Sequence, residues 1–310
     1  MMQNSIGELS QELFTHVGKN ISEMEAIARP SITYWQDAWR RLKQNKAAML
    51  GLIIIILYTF MAIVGPYMTP YDYRTTNPSE INQPPSARHW FGTDSLGRDL
   101  WARTWMGARV SLMIGFVAAL LNAVIGVLVG GISGYFGGKV DMIIMRFVDI
   151  MYAIPYMIIV ILMMVVLGQG IMPLILALVI GGWVGMARLV RGQILQLKEQ
   201  EFVLAAKVLG ASHSRIIWKH LIPNAMGVIL VNLTMSVPSA IFTEAFLSFI
   251  GLGVVPPHSS WGQLASYGAQ SFRVYPYQLF IPAFFISTTM LSLNLLGDGL
   301  RDALDPRLRS

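Results

Sequence analysis

The chain has 310 residues, 54% of them hydrophobic and 13% charged, with a mean hydropathy of +0.54. That composition excludes an ordinary soluble domain and points to a membrane protein. The absence of cysteine excludes disulfide and thiolate chemistry, and the net charge of +6 has to be explained by where the charges lie.

Residues 1–30 are polar and mixed in charge, with Glu8, Glu12, Glu23 and Glu25. They hold no apolar core of signal-peptide type, so no cleavage is expected there. Leu9, Leu13 and Val17 recur one turn apart, the spacing of a short amphipathic helix. In 31–46, Ile32, Trp35, Trp39 and Leu42 make one apolar stripe beside Arg40, Arg41, Lys43 and Lys46. Tryptophan next to lysine and arginine suits the headgroup zone, which predicts an elbow helix lying on the membrane surface. Residues 1–46 therefore read as a cytoplasmic tail and elbow.

Six apolar runs follow, at 47–68, 111–135, 142–167, 172–190, 225–250 and 279–296. Each is long enough to cross hydrocarbon roughly 30 Å thick, which needs about 20 helical residues. The predicted fold class is an all-α membrane protein with six transmembrane helices, a long outer loop at 69–110 and a five-span core at 111–310. With the N-terminus inside, only Arg74, Arg88, Arg98, Arg103, Arg109 and Arg273 of the 23 lysines and arginines fall outside. Both termini are then expected in the cytoplasm. The positive-inside bias accounts for the surplus charge, so nucleic-acid binding is not needed to explain it.

The outer loop carries Asp94, Arg98 and Asp99 beside Gly92 and Gly97. Two readings stand: a self-paired turn capping the second span, or a surface for an external subunit. The second span holds Gly115, Gly126, Gly130, Gly131 and Gly134, small residues that let helices pack closely in lipid. A phosphate loop ending at Gly138-Lys139 needs glycine at 133 and serine or threonine at 140; the chain has Ser133 and Val140. In the third span Arg146 and Asp149 stand at i and i+3, which predicts an ion pair on one helix face; a proton relay is the alternative. Pro155 is expected to kink this span.

Residues 198–224 are the longest polar interruption in the second half. Phe202, Ala205, Ala206 and Leu209 fall at helical spacing. Gly210 breaks the run, and Ser212 is placed to cap a second short helix carrying Ile216, Ile217 and Leu221, which Pro223 should stop. The pattern predicts helix, tight turn, helix, either lying on headgroups or docking a soluble partner. In the fifth span Ser236, Pro238, Ser239 and Glu244 interrupt the apolar run. Non-regular backbone at that depth is tolerated where protein buries it or water reaches it, so Ser236, Pro238 and Glu244 read as a wall or outer gate of a pathway. Glu244 has a second reading, as a structural acceptor for N–H groups freed around Pro238. The outer segment 251–276 reads as a scoop at the outer mouth.

AAKVLG, nine residues and HLIP resemble the cytoplasmic docking loop of membrane subunits of bacterial ATP-binding-cassette importers. Ala205, Ala206, Gly210 and Pro223 match that loop. Leu204 stands at the family's glutamate position, with Glu201 three residues earlier, and His220 and Ile222 replace its isoleucine and leucine. These departures are similar to the dipeptide, oligopeptide and nickel branch. FGTDSLGRD at 91–99, GARVSL at 107–112, EAFLSFIGLG at 244–253 and GDGLRDALDPR at 297–307 resemble the same branch in order, so the likeness runs from Arg40 onward.

The resemblance implies a multi-pass permease of the bacterial cell membrane. It also implies a homologous permease partner, two ATPase subunits that bind the ATP and magnesium, and an external or periplasmic solute-binding protein. Peptide uptake is the expected function, with nickel-chelate import as the alternative. Glu201, Ala205, Ala206, Gly210, Ser212, Arg215 and Pro223 are the expected ATPase-docking residues. A proton-coupled secondary transporter using Arg146, Asp149 and Glu244 is a separate class, and the chain shows no convincing internal repeat to support it. A structural anchor with no pathway is a third, opposed by the polar break around Pro238. His16, His89, His213, His220 and His258 are scattered without ligand spacing, so no metal site is expected. No nucleophile, base and orienting group stand together, so no catalytic residue, intrinsic ATPase activity or cofactor is expected.

Overall fold

The computed structural model describes residues 33–305. The tail helix expected around Leu9, Leu13 and Val17, and the last charges Arg307 and Arg309, lie outside the described residues. Among those described, every regular element is helical and one isolated bridge joins Thr93 to Asp99. The helices are α1 (Tyr34–Gln44), α2 (Lys46–Val64), α3 (Leu100–Phe136), α4 (Gly138–Ala153), α5 (Tyr156–Leu167), α6 (Ile171–Gly182) and α7 (Val184–Leu197). They continue as α8 (Glu201–Val208), α9 (His213–Arg215), α10 (Ile222–Phe249), α11 (Trp261–Ser271) and α12 (Tyr277–Leu304). Five helical runs are long and apolar enough to cross a membrane, and α4 with α5 makes a sixth if that bent pair is one span.

The elbow stripe splits when it folds. Ala38 and Leu42 of α1 are buried, Leu42 in a small cluster with Ala48 and Ala303. Trp35 and Trp39 are exposed, with the Lys43 ammonium 5.2 Å from the Trp39 ring centre. Asn45 then accepts a bond from the Ala48 N–H and starts α2, so the chain turns from elbow to span at a capped break.

The second span begins earlier than hydropathy indicates. Asp99 caps it by accepting from the Ala102 N–H at 2.8 Å, and the helix is 37 residues long. Its first turns are hidden under the outer loop, where Trp105 and Arg103 are buried. The loop forms a self-paired turn. Asp94 accepts from the backbone N–H groups of Leu96 and Arg98 and from the Arg98 side chain. His89 Nδ1 stands 2.8 Å from Asp99, which closes the loop over the helix start.

α3 is the central rod, touching α2, α4, α6, α7, α10 and α11. Gly126, Gly130 and Gly134 lie against Met186, Ala187, Arg191 and Ile194 of α7 so closely that a Cβ would collide. Small residues on one stripe thus set the distance between these two spans. The half beside the 69–110 loop is filled by Tyr58, Trp105, Trp261 and Phe285, and the half beside the 198–224 segment by Tyr135, Ile194, Val203, Ile216 and Leu221.

Two expectations are corrected here. The third span is not merely kinked at Pro155: α4 and α5 are bent by 84°. Pro155 restricts the residue before it, and Ile154 is extended (φ −85°, ψ 127°), so the helix cannot continue. Pro223, by contrast, does not stop its helix. Residues Ile216–Leu221 wind as a π-helix, with the Ile222 N–H bonded to the Ile217 carbonyl five residues back. This wider turn makes room for a proline ring that has no N–H to offer, and a single helical run extends from His213 to Phe249.

Candidate functional site

The segment 198–224 is a hairpin packed against the ends of α3 and α7. Glu201 opens α8 on its exposed side. The inward residues are Val203 and Ala206, one turn apart and packed with Ile194, Ile216 and Leu221. Phe202, Ala205 and Leu209, which share the helical spacing with Ala206, are exposed while Ala206 is buried. The face is narrower than a full apolar stripe because the short helix meets its neighbours along one line.

Gly210 makes the turn possible. Its φ of +77° lies in the left-handed region. The Gly210 N–H bonds to the Lys207 carbonyl and the Ala211 N–H to that of Ala206, which closes the end of α8 in a Schellman arrangement. Ser212 then caps α9 by accepting from the Arg215 N–H at 3.3 Å. Arg215 and Pro223 are exposed. The tip of the hairpin is apolar and open: Val208 is 87% and Leu209 86% exposed. One tie was not visible in the sequence. The Tyr135 hydroxyl at the end of α3 lies 2.7 Å from His213 Nδ1 and fastens the hairpin to the membrane body.

A cavity of about 400 Å³ lies at the break between α4 and α5. Asn122 of α3, Tyr152 and Tyr156 at the break, and Ser236, Ser239 and Thr243 of α10 provide its polar lining. Of the three expected pathway residues, only Ser236 lines it. Pro238 is buried inside α10. Glu244 is wholly buried and faces away: one carboxyl oxygen accepts from Ser111 of α3 at 2.8 Å and the other from Ser248 at 2.7 Å. Its partners are hydroxyls, not N–H groups freed near Pro238.

The expected Arg146–Asp149 pair does not form. Asp149 bonds to Arg188 of α7 instead, and Arg146 is exposed. Arg188 wins because it makes two contacts at once, reaching the carboxylate while its guanidinium lies 4.0 Å from the Tyr152 ring centre. Nearby, Arg191 of α7 grips Asp141 of α4 with two nitrogens, and Ser133 of α3 donates to the same carboxylate. Two arginines one turn apart on α7 thus hold two aspartates on α4. Sequence spacing gives no sign of these pairs, because their members lie 39 and 50 residues apart.

A hairpin presented below a bundle, joined by one helix to a cavity in that bundle, suits a transport subunit worked from one side. The family model for the binding-protein-dependent transport system inner membrane component matches residues 126–310. The chain belongs to this family. A second family model, the N-terminal TM domain of oligopeptide transport permease C, matches residues 33–85. The family member in hand is 53% identical over 308 residues to the oligopeptide transport system permease protein OppC of Bacillus subtilis (strain 168), covering 99% of this chain and 100% of that one. It is 54% identical to the dipeptide transport system permease protein DppC of the same organism, covering 93% and 90%. To OppC of Escherichia coli (strain K12) it is 45% identical, covering 94% and 96%. A chain of the inward-facing methionine ABC transporter MetNI matches in fold with a TM-score of 0.50 at 21% identity, covering 65% of this chain and 97% of that one. The transport family and the apolar helices together make this a multi-pass protein of the bacterial cell membrane.

Proposed function

We propose that this chain is the permease subunit of an ATP-driven importer of dipeptides or oligopeptides. It forms the pathway with a second, homologous permease. Two separate ATPase subunits bind the ATP and magnesium and grip the docking hairpin, and a solute-binding protein delivers peptide from outside. The reading rests above all on the open apolar tip of that hairpin, Val208 and Leu209, which is a surface made for a partner's groove. The peptide substrate class is supported by the relatives, whose names specify oligopeptide and dipeptide transport.

Glu201, Ala205, Gly210, Ser212, Arg215 and Pro223 form the exposed rim of the docking surface in this reading, and Ala206 anchors it from beneath. The hairpin and both termini face the cytoplasm, supported by the excess of lysine and arginine on that side. Closure of the ATPases on ATP moves the hairpin, and the packed spans rotate as bodies between inward and outward access. The chain itself carries no ATPase activity.

The test is reconstitution in proteoliposomes with the partner permease, both ATPases and the binding protein. ATP-dependent uptake of a labelled tripeptide is expected, and none when the second permease is left out. Uptake by this chain with ATPases alone would overturn the heteromeric part. Nickel uptake without peptide uptake would overturn the substrate.

A further inference from the structure

The cavity between α4, α5 and α10 has an unusual lining. Among the described residues around it there is no Asp, Glu, Lys or Arg. Its volume of about 400 Å³ falls in the range of small-molecule sites. The backbone beside it is extended at Ile154, and irregular backbone at membrane depth is tolerated where it lines a wet space.

The polar groups of the lining are all uncharged. Ser236, Ser239 and Thr243 recur on one face of α10. Ser236 donates its only hydroxyl proton to the Leu233 carbonyl and Thr243 donates its own to the Ser239 carbonyl. Both hydroxyl oxygens are left with lone pairs and nothing to donate. Asn122 adds an uncharged amide to the lining. The Tyr156 hydroxyl is committed to the Leu178 carbonyl. The wall is therefore polar without charge, and the Ser236 and Thr243 hydroxyls in it can only accept. The one carboxyl group of α10, Glu244, points away from it into a serine cage. The Asp149–Arg188 pair beyond Tyr152 is balanced in charge.

Resting on the peptide-import reading, we propose that this cavity is a passage site for the peptide main chain. Ser236 and Thr243 accept from its N–H groups, and the lack of charge leaves acidic and basic side chains equally free to pass. Selection by side-chain charge is then absent from this part of the pathway.

The test places a charge in the wall. Ser239→Asp is compared with the unsubstituted complex in proteoliposomes, using Ala-Glu-Ala and Ala-Lys-Ala as substrates. Relative to the unsubstituted rates, uptake of the acidic peptide should fall about tenfold more than that of the basic one. ATP hydrolysis should persist. An equal change for both peptides, or none, overturns the proposal. If Ser239→Asp does not assemble, Ser239→Cys is assembled first and then modified by a sulfonate- or an ammonium-bearing thiosulfonate. The sulfonate should slow the acidic peptide and the ammonium the basic one; equal or absent effects again overturn it. If the unsubstituted complex imports neither peptide, the import reading fails and this proposal falls with it. Import that ignores the introduced charge leaves that reading standing and removes only the site.

Discussion

Glu244 sits where two hydroxyls need an acceptor. Ser111 already accepts from the Trp261 N–H at 3.2 Å, so its own proton goes to the carboxyl group. Ser248 likewise accepts from the Val254 N–H and donates to the other oxygen. A glutamine offers one acceptor oxygen in place of two. Glu244→Gln should therefore cost about 1–2 kcal/mol for one stranded hydroxyl. Uptake by the assembled complex should stay near normal. Thermal unfolding and uptake of the same preparation check both; a complex of unchanged stability that no longer imports would reverse the assignment and make Glu244 a gate. The sequence marked Glu244 as a residue that must face protein, because a lipid-facing carboxylate is costly. It could not name Ser111, 133 residues away, since nothing in local spacing specifies that meeting.

Gly210 belongs to the same scale and was legible. A glycine ending a helical run is a turn signal, and the observed φ of +77° is why. No atom lies within 4 Å of a Cβ built there, so a side chain has room in this chain and suffers mainly from the backbone angle, about 1–2 kcal/mol. Gly210→Trp should leave the protein inserted but sever it from its ATPases. Co-purification is the measurement, and retention of the ATPases with full transport would move docking elsewhere.

Among elements, the pairing of α4 with α7 matters most. α7 leads directly to the 198–224 hairpin, and α4 ends at the cavity. Arg191–Asp141 and Arg188–Asp149 tie them together in two places. The two ties differ in worth. The Asp149 pair is well exposed in this chain, its side chains 37% and 54% accessible, so its contribution to stability is under about 1 kcal/mol. Asp141 is more sheltered and is held by three hydrogen bonds from Arg191 and Ser133. Asp141→Ala should therefore destabilise by about 2 kcal/mol, and Asp149→Ala much less. Denaturation of the purified chain in detergent ranks them; the opposite order would refute the assignment. Hydropathy located the spans, because long apolar runs have few other uses. It missed the break at Pro155 as a break, the early start of α3 and the passage of α10 through Pro223. Each depends on what surrounds the segment: a cavity to face, a loop to hide beneath, and a π turn to absorb the ring.

For the whole molecule, orientation is the property to measure. A chain without cysteine accepts a single reporter thiol cleanly. Cysteines placed at 5, 200 and 308 should resist a membrane-impermeant reagent in intact cells, and one at 80 should react. Reaction at 200 would put the hairpin on the wrong face and remove the docking argument entirely. The exposed apolar residues of α2, among them Ile53, Ile56 and Phe60, are the outer coat that lipid or a neighbouring subunit covers.

The run from His213 to Phe249 has a mechanical meaning. At 1.5 Å per residue its 37 residues make a rod roughly 55 Å long. One end of that rod belongs to the hairpin and is bonded to Tyr135 of α3, its second half borders the cavity, and Glu244 bonds that half to Ser111 of α3. It is a lever with its load and its handle in one piece. A tilt of about 10° around the centre displaces the two ends by roughly 5 Å in opposite directions. A push on the hairpin end is thereby delivered to the opposite end without passing through a joint, except at Ile216–Leu221, where the single π turn is the place for the lever to give.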